Sequence, residues 1–382
     1  MNKLPNGWEY KKLKDIGKAY TGMTPSTLDK ENFGNEHLFI TSADIKENKY
    51  IFNSIRKLSD KGFEKSRKFK KGDILYVCIG SIGKIALAGC DFTCNQQINV
   101  LRVNEGIDNE FVYYQLINSF HYISKFVARG VVTIMNKTTF ENISIAIPLL
   151  LDEQKRIAST LSKIDAYLEN TIKLIEEKER FKKGIAKKLL TCKKGENVPE
   201  ARFKEFNDEW ETKTLISVAN IKKGEQKNKL DLIPNGKYPV LNGGMNFSGY
   251  YNSYNREANT ITISEGGNAG YVNFVKEKFW SSGHCYTLHD LKIDKYFLYQ
   301  CLKNSEKRLM KLQLGTALKN IQLSEIKEFT LDMPKSIEEQ KEIGEYLSLL
   351  DAEIDNLKEQ KEEIKKMKKG IMKKLMSGEV RL

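Results

Sequence analysis

Apolar positions divide this chain into two kinds of segment. In two long stretches they recur at intervals of mostly three, four or seven. The first runs through Ile157, Leu161, Ile164, Leu168, Ile172, Ile175, Phe181, Ile185 and Leu189. The second runs through Ile343, Leu347, Leu350, Ile354, Leu357, Ile364, Met367, Ile371 and Leu375. That spacing lays an apolar seam with charged flanks along one helix face, the pattern of a coiled-coil partner. Pro148 and Pro334 stand just before the seams as start signals, and lysine-rich ends at 182–188 and 368–374 suit helix C-termini. The pattern predicts helices over 153–190 and 339–376. At ~1.5 Å per residue each is roughly 55 Å long.

Elsewhere the periodicity is short. Runs 73–79, 98–103, 259–263 and 271–275 read as strands, and 110–127 and 294–312 as helices with aromatics toward one face. Turn signals separate them: KKGD at 70–73, GSIG at 80–83, NGGMN at 242–246 and EGGNAG at 265–270. The globular parts are therefore α/β (α+β) in class.

The two seams are copies. Residues 148–191 align with 334–377 at a constant offset of 186, with 19 of 44 positions identical, among them Pro148/Pro334, Gln154/Gln340, Asp165/Asp351 and Gly184/Gly370. Shared Lys/Glu composition does not produce that. Upstream, GWEYKKLKDI (7–16) echoes EWETKTLISV (209–218), pairing Trp8 with Trp210 at an offset of 202. The chain reads as domain, helix, domain, helix: residues 1–147, 148–194, 195–333 and 334–382, a pseudo-twofold internal repeat. Two seams in one chain are satisfied if the helices pack antiparallel on each other, through Ile157, Leu161, Ile164, Leu168, Ile343, Leu347, Leu350, Ile354, Leu357 and Ile364. Each helix packing only on its own domain suits so long and narrow a seam less well.

Charge changes the picture. The chain carries a formal +13, and residues 1–151 and 152–194 hold most of the excess. An excess of that size favours a polyanionic partner, because phosphate contacts release counterions. No run of about 18 apolar residues is present, so no membrane span is expected. Six scattered cysteines without a CxxC pair read as reduced, buried thiols of a cytoplasmic protein rather than a zinc site.

Catalytic motifs are missing. GSIGKI at 80–85 has the wrong spacing for a phosphate-binding loop, and no GxGxxG follows a strand. All seven prolines are isolated, which excludes the Pro-Pro tetrapeptide of base-modifying methyltransferases. The His284/Cys285/His289 cluster reads as ordinary strand residues rather than metal ligands, and Asp73 as a turn residue. The expectation is a chain with no catalytic residues and no metal.

The loops offer binding chemistry. Lys65, Arg67, Lys68, Lys70 and Lys71, interleaved with Phe63 and Phe69, suit phosphate contacts and equally suit a solvated approach to the next strand. Near them in sequence lie Thr41, Ser42, Ser81, Lys84 and the amide run Asn95, Gln96 and Gln97. Asn and Gln read adenine bidentately in a major groove, although strand alternation keeps all three from doing so together. In the second domain the candidates are Asn242, Asn246, Asn268, Thr316, Lys319 and Asn320, on glycine-rich loops.

These features together resemble the specificity subunits of type I restriction–modification systems. The resemblance rests on the two Pro-x4-Glu-Gln-Lys-x-Ile helix starts, the KKGIAKKLL and KKGIMKKLM ends, the GWE/EWE domain starts, YPVLNGGMNFSGY and GTALKNI. It spans essentially the whole chain, and the duplicated helix is its specific part. It implies two target recognition domains, each reading one half of a split asymmetric site in double-stranded DNA, separated by helices that set the spacer. It further implies docking of two methyltransferase subunits and of restriction subunits. S-adenosylmethionine, ATP and Mg would be bound by those partners, and no cofactor by this chain. A helix of this length corresponds to roughly sixteen base pairs, so the half-sites should lie within about one and a half turns.

Overall fold

The computed structural model describes residues 4–126, 133–193, 195–315 and 319–382. It resolves into two compact units, residues 1–172 with 360–382, and residues 173–359. Both boundaries fall inside the long helices Leu151–Leu190 and Ile337–Met376.

In the first unit, strands Ile74–Val77 and Ile85–Ala88 are buried at every position. Such continuous burial means a sheet covered on both faces. Alternation sorts the side chains: Ile74, Tyr76 and Leu87 join a core with Trp8, Phe111 and Ile145. Leu75, Val77 and Ala86 join a second core with Ile40, Phe69 and Phe92. The sheet has five strands, in the order Gly17–Thr21, Ile98–Val103, Ile74–Val77, Ile85–Ala88 and Tyr50–Ile51. A four-stranded sheet containing His37–Ile40 and Thr93–Cys94 closes the second core. Trp8–Lys12 pairs with Ser144–Pro148, so the start of the domain is fastened to its end. Helix Asn109–Asn118 begins at Asp108, whose Oδ1 accepts from the Phe111 N–H at 2.7 Å.

The second unit repeats the scheme with fewer strands. Glu211–Thr214 pairs with Thr330–Met333. A four-stranded sheet runs Asn220–Lys223, Cys285–His289, Thr260–Ser264, Val272–Val275, and a three-stranded sheet is centred on Tyr238–Leu241. Asp294 caps helix Lys295–Asn304 through the Phe297 N–H at 2.8 Å.

Inside each unit the long helices run antiparallel. In the first, Arg381 meets Glu153 and Lys368 meets Asp165, so rising numbers on one strand of the pair face falling numbers on the other. In the second, Lys178 meets Glu353, Lys182 meets Asp351 and Lys358 meets Glu179. Ile157 and Leu161 are fully buried in the first core beside Leu375 and Met376, with Ile164 partly buried against it. Ile343 and Leu347 are fully buried in the second core beside Ala186, Leu189 and Leu190, with Leu350 against it. Ile354 and Ile364 are buried, and Leu168 and Leu357 half-buried.

Two seam positions differ from the sequence expectation. Phe181 and Met367 are 54% and 49% exposed. Lys182 and Lys368 take the inward place one residue on, reaching Asp351 and Asp165 at 2.5 Å. A lysine stem can fill a seam while its ammonium finds a carboxylate, which turns the preceding side chain outward.

Candidate nucleic-acid interface

Each unit gathers five chain segments into one polar cradle. In the first unit the frame is a set of backbone hydrogen bonds: Gly22 N–H to Ile98 O at 3.0 Å, Met23 N–H to Cys94 O at 2.8 Å, Asn95 N–H to Ile40 O at 3.1 Å, Cys78 N–H to Gln97 O at 2.7 Å and Met135 N–H to Cys78 O at 2.8 Å. A Cβ on Gly22 would lie 2.1 Å from Asn95 O, so only glycine lets the strand end approach this closely.

Several candidates from the sequence come together there. Ser42 Oγ and Asn95 Nδ2 both donate to Gln97 Oε1 at 3.1 Å, and Thr24 Oγ1 donates to Gln96 Oε1 at 2.6 Å. Lys84 Nζ donates to Ser42 O at 3.4 Å. Ser81 is exposed on the loop between Gly80 and Gly83, both at positive φ. Thr41 holds its own turn, donating twice to Asp44 Oδ2 at 2.8 and 2.7 Å.

The basic run separates into two groups. Lys68 is paired with Glu64 and Lys70 with Asp91, while the Lys71 side chain is exposed. Arg67 instead donates to Thr21 O at 2.6 Å and lies over the Tyr20 ring, which also faces Lys18 and Arg102. Arg102 is committed to Asp73 at 2.6 Å. Lys18 and Arg67 thus form the basic flank of the cradle. Lys18 and Tyr20 carried no sequence signal, because only the pairing of their strand brings Arg67 over them.

The second unit has the same backbone frame: Gly224 N–H to Cys285 O at 2.8 Å, Glu225 N–H to Ser281 O at 2.9 Å, Ser282 N–H to Leu241 O at 2.8 Å, Glu265 N–H to His284 O at 2.9 Å and Ile321 N–H to Glu265 O at 2.9 Å. Its side chains differ. Glu265 Oε1 accepts from Lys223 Nζ at 2.6 Å and from Tyr286 OH at 3.0 Å, and Glu265 Oε2 faces His284 Nδ1 at 3.4 Å. Burial opposes ionisation of Glu265, but the Lys223 and Tyr286 bonds outweigh it and hold the carboxyl below its usual range. Burial, and then Glu265, push the Tyr286 phenol up.

Of the sequence candidates here, Asn242 lies under His284, its Oδ1 accepting from the His284 N–H at 3.4 Å. Asn246 and Asn268 are exposed on the glycine-rich loops. Lys319 and Asn320 are exposed on the segment that bridges to Gly266. Thr316 lies outside the described residues. Glu265, His284 and Lys223 were not legible as a site, since they come from the ends of three strands. Arg256 was also missed: it bonds Thr287 Oγ1, Lys223 O and Asn255 O, with no carboxylate partner among the described residues, and burial lowers its pKa.

Among the described residues no group of three or more His, Cys, Asp or Glu is placed to hold a metal ion. Burial pushes the Cys78 thiol up to about 12 and that of Cys285 up to about 11. No described helix is long and apolar enough to cross a membrane.

Comparisons with known proteins agree with this duplicated geometry. A family model described as the type I restriction modification DNA specificity domain matches residues 5–177 and again 207–366. The type I restriction enzyme MjaIX specificity subunit of Methanocaldococcus jannaschii is 26% identical across 100% of this chain and 95% of its own. A Mycoplasma pneumoniae protein named as a type I specificity subunit, S.MpnORF638P, is 39% identical over 174 residues. That match covers 45% of this chain and 46% of the relative, and a Mycoplasma genitalium relative is matched over 40% of its length, so the chain spans about half or less of these two. The crystal structure of a type I S subunit from M. genitalium shares the fold with a TM-score of 0.68 at 20% identity, covering 98% of both chains.

Proposed function

Because this chain belongs to the type I restriction modification DNA specificity domain family and carries that domain twice, we propose that it reads a bipartite, asymmetric DNA site, one half with each unit. The observation that carries the reading is the pair of cradles. One backbone frame appears twice, furnished once with Thr24, Ser42, Asn95, Gln96 and Gln97 and once with Lys223, Glu265, His284 and Tyr286. The same scaffold with different polar groups at its mouth suits two different base sequences. Lys18 and Arg67 in one unit, and Arg256 with Lys222, exposed on the strand Asn220–Lys223, in the other, supply positive charge for the phosphate backbone.

The paired helices set the spacer between half-sites and receive two methyltransferase subunits, with restriction subunits joining that assembly. Methylation and cleavage belong to those partners, as do S-adenosylmethionine, ATP and Mg; this chain contributes recognition. The test is selection from random duplexes with the purified chain, followed by methylome sequencing of cells that express it with its modification subunit. The expected result is a two-part motif with a fixed gap. A protein that binds duplex DNA without enriching any motif, or that cleaves it alone with magnesium, contradicts the reading.

A further inference from the structure

The two backbone frames correspond bond for bond, and the correspondence singles out one residue in each unit. Gln97 and His284 each stand immediately before a central strand, Ile98–Val103 and Cys285–His289. Each gives its carbonyl to the N–H of the residue that follows the neighbouring strand, Cys78 and Glu265. The flanking bonds also match, Asn95 to Ile40 and Ser282 to Leu241. Positions 97 and 284 are the same place in the fold.

Both side chains are held from behind and open in front. Gln97 Oε1 takes two donors, Ser42 Oγ and Asn95 Nδ2, while its Nε2 makes no hydrogen bond among the described residues. The Nε2 amide is therefore a fixed donor. The His284 side chain is 58% exposed, and its Nδ1 lies 3.4 Å from Glu265 Oε2, a buried oxygen with no hydrogen-bond partner among the described residues. That carboxylate is itself anchored by Lys223 and Tyr286. A ring N–H at Nδ1 is the donor that the buried Glu265 Oε2 lacks, and the tautomer that supplies it leaves Nε2 as an acceptor. A polar group positioned by the polar groups behind it is what discrimination between bases requires.

Resting on the DNA-reading function above, we propose that Gln97 and His284 are the equivalent base-reading residues of the two units. Gln97 Nε2 donates to an acceptor on the major-groove edge of one base, such as guanine N7 or O6. His284 Nε2 accepts from an exocyclic amino group, that of adenine or cytosine. Glu265 is the positioning residue for His284, as Ser42 and Asn95 are for Gln97. The two units thus present opposite hydrogen-bonding polarity from one position.

The test is motif selection with the parent chain and with His284→Ala, His284→Gln and Gln97→Ala, each verified by its melting curve. His284→Ala should relax one base position in one half-site by about ten- to hundredfold and leave the other half and the gap unchanged. Gln97→Ala should do the same in the other half. His284→Gln should change the preferred base there rather than erase the preference. At the position relaxed by His284→Ala, removing the amino group from the DNA (purine in place of adenine, or pyrimidin-2-one in place of cytosine) should weaken the parent and leave His284→Ala unaffected. If the parent selects a two-part motif but the variants keep every position, this inference falls while the function stands. Equal weakening on all sequences makes these backbone contacts and also overturns it. A parent that selects no motif removes the function itself.

Discussion

Glu153 and Glu339 show why the repeat kept particular residues. Glu153 is buried and accepts from Trp8 Nε1 at 3.1 Å and from Arg381 at 2.9 and 2.6 Å; Glu339 accepts from Trp210 Nε1 at 3.3 Å and from Arg202 twice at 2.8 Å. Next to them, Gln154 and Gln340 each take a backbone N–H at 2.9 Å, from Asp108 and Asp294, and each give one to a proline carbonyl at 2.9 Å, Pro148 and Pro334. These identities are fully satisfied buried polar groups, where loss of one partner strands the other. Burial opposes ionisation of Glu153, but Arg381 and Trp8 outweigh it and hold its carboxyl below the usual range. A lowered folded pKa contributes stability that is present above the unfolded value near ~4.3 and lost as pH falls through the folded one. Glu153→Gln should therefore cost about 1–3 kcal/mol at neutral pH. In thermal melts its deficit against the parent should shrink below about pH 4; a pH-independent deficit would place the stabilisation elsewhere. Glycines separate cleanly by surroundings. Gly184 sits inside a helix with nothing within 4 Å of an added Cβ, whereas Gly22 is hard against Asn95 O. Gly184→Ala should stabilise by roughly 0.5–1 kcal/mol and Gly22→Ala should destabilise, both read from denaturant midpoints.

At the scale of elements, the long helices combine two kinds of contact. Their ends are absorbed into the domain cores, through Ile157 and Leu161 with Leu375 in one unit and Ile343 and Leu347 with Leu189 in the other. Closer to their middles, ion pairs with repeated partners take over. Asp165 receives Tyr114 OH at 2.6 Å and Lys368 at 2.5 Å; Asp351 receives Gln300 Nε2 at 2.7 Å and Lys182 at 2.5 Å. Ile354→Asp would bury a charge in a seam already carrying Asp351 and Asp355 and should cost several kcal/mol. Phe181→Asp, on the exposed side, should shift stability by no more than about 0.5 kcal/mol. Melting followed by helical circular dichroism distinguishes them; equal effects would mean the buried stripe runs elsewhere. The helices themselves were readable in the sequence because a seam of this length has few explanations. The outward turn of Phe181 and Met367 was not, since a lysine counts as polar in a pattern while its stem packs as apolar.

For the whole molecule, duplication makes function divisible. Exchange of residues 1–147 for those of another family member should alter one half of the recognised motif and leave the other, as read by methylome sequencing. Removing seven residues from each long helix, keeping the antiparallel partners in step, should shorten the gap by about three base pairs without altering the bases read. A changed gap with unchanged halves assigns spacing to the helices; changed halves assign it to the cradles.

The sequence by itself determined the repeat, the two long helices, the class of the domains and the amide run at 95–97, because each is written in local spacing or in composition. Tertiary structure alone decided which polar groups meet. Strand register carried Lys223, Glu265 and His284 from the ends of three separate strands to one point, and it placed Arg67 over Tyr20 while Lys68 and Lys70 were neutralised by Glu64 and Asp91. Long-range pairing is set by the packing of two buried faces at once, and no local pattern encodes it.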